Sequence, residues 1–331
     1  MTHDINSDSD ICFDCSLCIY TVPSPGGSGI TYTIARAARF LAGQGKKVLI
    51  VQPTKDLIEK TIEKEIKSRL PEVDCEAIHS DSHFGRVKLE IIKRLEINDD
   101  GPGQDLGTIT LITHAAFINL PVFPGRGDVF VFVDEVPNAA KCKTHNLSQT
   151  HAHLTDSIEV FEHDAIYGRV EVTDADALEK IAKNETDDDL WKQLSETAWL
   201  LLSDAWDVFV NLEQYRKLQQ GDARTRQLTF HCVLRPQVFD GYKNVFIAGA
   251  DVEHSILYHL FVEQDVKFES HWLIEALRYN SHNNGHLITI YYAFDGFWSK
   301  QKQLKVLVPD DPITNVQVTA HPYLPDGIGV R

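Results

Sequence analysis

With 331 residues, 43% of them hydrophobic, the chain is too long for one small domain and apolar enough for a sizeable core. Its net charge of −16 is uneven: residues 1–150 carry −4, residues 151–230 carry −9 and residues 231–331 carry −3. That sign argues against nonspecific attraction of the whole molecule to nucleic acid, though not against a local groove. Residues 1–11 are polar and acidic, unlike a signal peptide, and no apolar run reaches the roughly 18 residues of a membrane span, so a cytoplasmic protein without membrane contact is expected.

The first predicted element is a buried strand at 17–22, followed by a Pro/Gly/Ser loop at 23–29 and a helix from Thr31 to about Ala42 that Gly43 and Gly45 end. A second apolar strand covers Val48 to Val51. Thr54 opens another helix, with acids in its first turns. Residues 83–95 read as helix, 108–113 as strand and 129–133 as a β-branched and aromatic strand. Continuous apolar strands alternating with helices predict an α/β fold built on a mainly parallel sheet covered on both faces.

After residue 145 the rhythm changes. Residues 174–220 are rich in acids, Leu, Ala and Trp, and Trp191, Leu194, Ala198, Leu201 and Leu202 recur at helical spacing. A mostly helical insertion off the sheet is expected there, with Trp191, Trp199 and Leu202 turned inward and Asp187, Asp188 and Asp189 solvated. Strands return at 229–234, 244–249 and 286–292, and a helix is expected at 297–305. Cys12, Cys15 and Cys18 have a spacing that three thiolates could use to hold a metal. The plainer reading puts Cys18 inside the first strand, and no second C-x-x-C or Cys/His pair follows with finger-like spacing.

The strand–loop–helix at 17–42 contains Ser24-Pro25-Gly26-Gly27-Ser28-Gly29-Ile30-Thr31-Tyr32. Glycines let backbone N–H groups close around phosphate oxygens, and a helix start beneath them favours an anion. A phosphate loop also needs a lysine for the outer phosphates and a Ser or Thr hydroxyl for Mg2+. Thr31 is present; Ile30 stands where the lysine belongs. About 100 residues on, the strand Val129 to Val133 runs into Asp134-Glu135, an acidic pair at the strand end where α/β sheets bind ligands. Such a pair suits metal ligation by the first acid and water activation by the second. If Thr31 and Asp134 share one hydrated Mg2+, they must lie within about 8 Å.

These segments together resemble the superfamily 2 helicases, the DEAD/DEAH-like group. Ser24 to Thr31 is similar to their first motif with the lysine replaced. Gln52-Pro53-Thr54-Lys55-Asp56-Leu57 resembles their Ia segment, and Leu111-Ile112-Thr113-His114 the segment ahead of the acidic motif. Asp134-Glu135-Val136-Pro137 resembles the acidic box, with Pro137 where His or Asp would stand. Val245 to Asp251 lies where a Ser-Ala-Thr motif belongs and matches it poorly.

The resemblance implies a RecA-like core over 1–145, an acidic insertion at 146–228, completion of the core at 229–285 and the start of a second, incomplete lobe at 286–331. It implies ATP and Mg2+ as cofactors, held by Ser24, Gly26, Gly27, Ser28, Gly29, Ile30, Thr31 and Tyr32, with Thr31 and Asp134 on the metal and Asp134 and Glu135 catalytic. It implies DNA or RNA as partner, facing Thr54, Lys55, Thr113 and His114; local capping and surface charge explain those four equally well. The missing lobe would come from another protein or chain segment. Two functions stay open: an ATP-binding lobe with impaired hydrolysis, or a noncatalytic module binding nucleic acid or protein.

Overall fold

A computed structural model describes residues 17–96, 106–147, 150–221, 227–271 and 277. The chain divides into two compact units, Met1–His282 and Asn283–Arg331. The second unit lies outside the described residues, and with it the strand expected at 286–292, the helix expected at 297–305 and the incomplete second lobe; Cys12 and Cys15 lie outside them too.

The first unit is α/β. Its main sheet has seven strands, all parallel: β1 (Cys18–Pro23), β2 (Lys47–Gln52), β3 (Asp74–Ala77), β4 (Thr108–Thr113), β5 (Val129–Asp134), β11 (Asn244–Gly249) and β12 (Lys267–Ser270). They lie in the order β12-β1-β11-β5-β2-β4-β3. Helices cover both faces, which is why the central strands read as unbroken apolar runs. On one face α1 (Ile30–Ala42), α2 (Lys55–Thr61) and the π-helical turn Ile62–Lys67 that continues α2 pack Ile34, Ala38, Ile58 and Ile66 onto Ile50 and Phe132. On the other, α3 (Val87–Glu96), α4 (His114–Ile118) and α9 (Ile256–Val262) pack Ile91, Phe117 and Phe261 onto Leu49, Val131 and Ile247.

Between β5 and β11 the chain builds a second, antiparallel sheet of five strands in the order β6-β10-β9-β8-β7. Its strands are β6 (Ala140–Asn146), β7 (Ile158–Glu162), β8 (Tyr167–Val172), β9 (Trp206–Asn211) and β10 (Gln227–Leu234), with α5 (Ala152–Thr155), α6 (Ala175–Lys183), α7 (Asp189–Leu202) and α8 (Leu212–Gln219) between them. The sequence reading needs correction here. Residues 174–220 do hold three helices off the parallel sheet, but also β9, the central strand of the accessory sheet. Trp206-Asp-Val-Phe-Val-Asn211 alternates buried and half-exposed positions, the period of a strand solvated on one face. The segment at 229–234 belongs to this sheet and not to completion of the core, because β10 pairs with β6 and β9. The excursion therefore runs from Ala140 to Leu234, and the parallel sheet resumes at β11.

Within α7, Leu194 and Ala198 are buried while Trp191 and Leu202 are partly buried against the same cluster. Trp199 is 48% exposed, contrary to expectation, since one residue past Ala198 turns about 100° away from the buried stripe. Asp187, Asp188 and Asp189 are exposed as expected. The Asp188 carboxylate caps α7 by accepting from the N–H groups of Leu190 and Trp191. Among the described residues no helix is long and apolar enough to cross a membrane.

Candidate functional site

Because every strand of the main sheet is parallel, all their carboxyl ends meet at one edge. Strand β1 delivers the loop 24–29 there, β11 its terminal glycine, β5 the pair Asp134-Glu135 and β2 the side chain of Gln52. The chain leaves β1 for the face carrying α1 and leaves β11 for the opposite face, which opens a crevice between adjacent strands of the kind that takes ligands.

The loop is held at both ends. Ser24 N–H donates to Gly249 O at 3.0 Å, and Ser28 N–H closes a turn onto Pro25 O at 3.1 Å. Gly27 and Gly29 take φ of 79° and 85°, the left-handed region that a side chain resists. Gly29 is the N-cap of α1 and offers no side-chain oxygen to the helix. Gly26 is exposed, and a Cβ there would meet nothing within 4 Å. Ser24 and Ser28 are buried, and the Ser28 hydroxyl has no hydrogen-bond partner. Tyr32, half-buried on α1, lies beneath the Arg69 guanidinium at 5.2 Å from its ring centre. Ile30 is also half-buried and packs against the apolar cluster on the α1 face.

Thr31 and Asp134 are in direct contact. The Thr31 hydroxyl donates to Asp134 Oδ2 at 2.8 Å, well inside the separation that one shared ion requires. The same oxygen accepts from Gln52 Nε2 at 2.9 Å. Gln52 is wholly buried, and its Nε2 also donates to Thr61 Oγ1 at 3.1 Å, whose hydroxyl in turn donates to Leu57 O at 2.8 Å. Gln52 Oε1 is left buried without a partner. Burial pushes the Asp134 carboxyl up, while the bonds from Gln52 and Thr31 and the nearby His114 pull it the other way. Glu135, by contrast, is exposed and sits at φ 68°, with its N–H donating to Ala248 O at 2.8 Å. A left-handed glutamate stores strain of the sort that collects at functional sites.

The four residues expected to face nucleic acid lie along the same edge, each occupied locally. Thr54 Oγ1 caps α2 by accepting from Leu57 N–H at 3.2 Å. Thr113 Oγ1 caps α4 by accepting from Ala116 N–H at 3.2 Å. His114 Nε2 lies 2.9 Å from Asp134 O, an acceptor only, so that nitrogen carries the proton; burial pushes this imidazole down, towards its neutral form. Lys55 Nζ donates to Ser80 Oγ at 2.7 Å and Asp81 Oδ1 at 2.6 Å.

The sequence reading missed Gln52 and Thr61 as site residues. The signal for Gln52 was a wholly polar side chain closing the apolar run Lys47–Gln52; nothing local marked Thr61. Thr31 and Asp134 offer hydroxyl and carboxylate oxygens, the donor chemistry a hard cation such as Mg2+ takes. The orphaned Ser28 hydroxyl beside them leaves a polar group for a phosphate oxygen to satisfy. Among the described residues no three His, Cys, Asp or Glu side chains are grouped to hold a metal by themselves. Mg2+ needs no such cage, since it keeps waters and binds through one or two carboxylates plus substrate phosphates.

No protein-family model matches the chain, and no curated protein matches it.

Proposed function

We propose that the chain is an ATP-binding lobe of the superfamily 2 helicase type, RecA-like in its parallel core, which acts with nucleic acid and hydrolyses ATP slowly or not at all. The observation that carries the reading is the 2.8 Å contact between Thr31 and Asp134 at the foot of the glycine loop. The residues divide the work. Gly27 and Gly29 let the backbone turn its N–H groups toward phosphate oxygens, and the start of α1 favours their charge. Thr31 and Asp134 would hold Mg2+, which supplies neutralisation of the phosphate charge. Gln52 orients the Asp134 carboxylate, and exposed Glu135 is the base available to a water at this edge.

Ile30 accounts for the weak turnover. An apolar branch packed on the α1 cluster donates nothing to a phosphate, and loss of one preorganised charge-stabilising group costs about 10²–10³ in rate. The same feature favours the second reading, a noncatalytic module for nucleic acid or protein.

Calorimetric titration with a slowly hydrolysed ATP analogue tests the proposal. Binding is expected with Mg2+ and is lost in EDTA and in Asp134→Asn. Absence of binding by both the natural chain and Ile30→Lys would leave only the noncatalytic module.

A further inference from the structure

The loop between β3 and α3 reaches the same carboxyl edge as the phosphate loop and carries Phe84, 92% exposed. A lone exposed apolar side chain is ordinary on a protein surface. Three further observations set this one apart.

The first is that the ring is presented on a fixed support. Arg86 N–H donates to His83 O at 3.1 Å and Gly85 takes φ 70°, a hydrogen-bonded turn with Phe84 at its leading corner and glycine at the position that needs a positive φ. His83 is pinned in turn: its N–H donates to His79 O at 2.9 Å, its Nδ1 lies 2.8 Å from Ser82 Oγ and its Nε2 lies 3.5 Å from Glu76. Rigid presentation lowers the ordering cost of binding.

The second is charge. Arg86, the last residue of the same turn, and Lys88, two residues further on, are both exposed, and neither joins an ion pair among the described residues. The acids nearby are already engaged: Asp81 with Lys55, Glu76 with Arg94 and His83, and Glu90 with Lys93. In a chain of net charge −16 this leaves two exposed cations without a carboxylate partner, among the described residues, within four positions of the aromatic side chain.

The third is position. Lys55 Nζ joins the end of β2 to this loop through Ser80 and Asp81, so the turn lies beyond Asp134 and Gln52 along one continuous edge.

We propose that Phe84 is a stacking post for a base of single-stranded nucleic acid, with Arg86 and Lys88 on the flanking phosphates. An aromatic face stacks any base, while guanidinium and ammonium groups follow the backbone, the combination that grips a strand without reading its sequence. The inference rests on the helicase-type reading for its class of partner. It moves the contact away from Thr54 and Thr113, whose hydroxyls cap helices, and from His114, whose Nε2 is bonded to Asp134 O.

Fluorescence anisotropy of the full chain with labelled oligo-dT and oligo-U tests it, one arm for DNA and one for RNA. Phe84→Ala is expected to weaken binding about tenfold or more, and Phe84→Trp to retain it. Arg86→Gln with Lys88→Gln is expected to lower the salt slope by about 1.4, roughly 0.7 for each phosphate released. Binding of the ATP analogue by each variant confirms that it is folded. Oligonucleotide binding unchanged by Phe84→Ala would overturn the stacking post while leaving the nucleic-acid reading intact. No oligonucleotide binding by a natural chain that still binds nucleotide would overturn this proposal, give the exposed ring to a protein partner and leave the ATP site standing.

Discussion

Gln52 and Asp134 form a wholly buried pair in which the amide donates 2.9 Å to the carboxylate oxygen that also receives the Thr31 hydroxyl. One oxygen thus takes two neutral donors, and Gln52 contributes an amide oxygen with no partner of its own. Gln52→Leu removes that orphan together with one donor, so the two effects on folding oppose each other and stability is expected to change by less than about 1 kcal/mol. Magnesium-dependent nucleotide binding is expected to fall about tenfold, because a charge-assisted bond worth about 1.5–3 kcal/mol no longer holds the carboxylate. A chemical denaturation curve beside the calorimetric titration checks both halves.

Asp134 itself should show a conflict between binding and stability. Burial lifts its carboxyl above the ordinary value of 3.8. The folded chain then holds the proton more tightly than the unfolded chain. The resulting stability is fully present below the ordinary value and is lost as pH rises through the raised one. Asp134→Asn carries no charge and escapes that loss. It is expected to be more stable than the natural chain at neutral pH, with a flatter stability profile above the ordinary carboxylate range, while no longer binding nucleotide with Mg2+. Denaturant midpoints measured from acid to neutral pH decide the sign.

Ile30→Lys is expected to raise affinity for the ATP analogue by about 1–3 kcal/mol, the worth of a charge-assisted hydrogen bond. Because Ile30 packs on the α1 cluster, the exchange should also cost about 1 kcal/mol of stability, part of the value of burying such a side chain. Calorimetry and thermal melting separate the gain from the cost. Turnover is the poorer readout if an arginine-bearing second lobe must come from elsewhere.

Thr54→Ala and Thr113→Ala test whether these threonines serve helices or a ligand. Each is expected to destabilise the chain by about 1 kcal/mol, the usual cost of a lost N-cap, and to leave oligonucleotide affinity unchanged. A loss of affinity with stability intact would return both residues to the nucleic-acid surface.

Gly168 tests the accessory sheet. A Cβ there would lie 2.4 Å from Val160 Cγ1 and 2.6 Å from Leu212 Cδ2, too close for either to remain in place. Gly168→Ala is expected to cost about 1–3 kcal/mol through overpacking. Hydrogen exchange should show the loss in β7, β8 and α8, with the strands of the parallel sheet still protected.

What the sequence determined by itself was the set of elements whose burial is symmetric. The runs ending at Val51, Thr113, Val133 and Gly249 are apolar on both faces, so each reads as a sheet strand without knowledge of its neighbours. Gly27 and Gly29 likewise announced a loop that needs left-handed backbone, and Thr54 announced a cap. The accessory strands were harder, because β6, β8 and β9 carry charged or polar residues on one face and their short alternation resembles loop or helix surface. Only the tertiary structure decided that Thr31 and Asp134, 103 residues apart, touch. That contact depends on β11 entering between β1 and β5 and on the register that sets Ala248 opposite Asp134 and Val51 opposite Val133. Gln52 follows the same rule: its type is local, but the carboxylate it meets is chosen by strand order, a property of long-range pairing that no window of sequence contains.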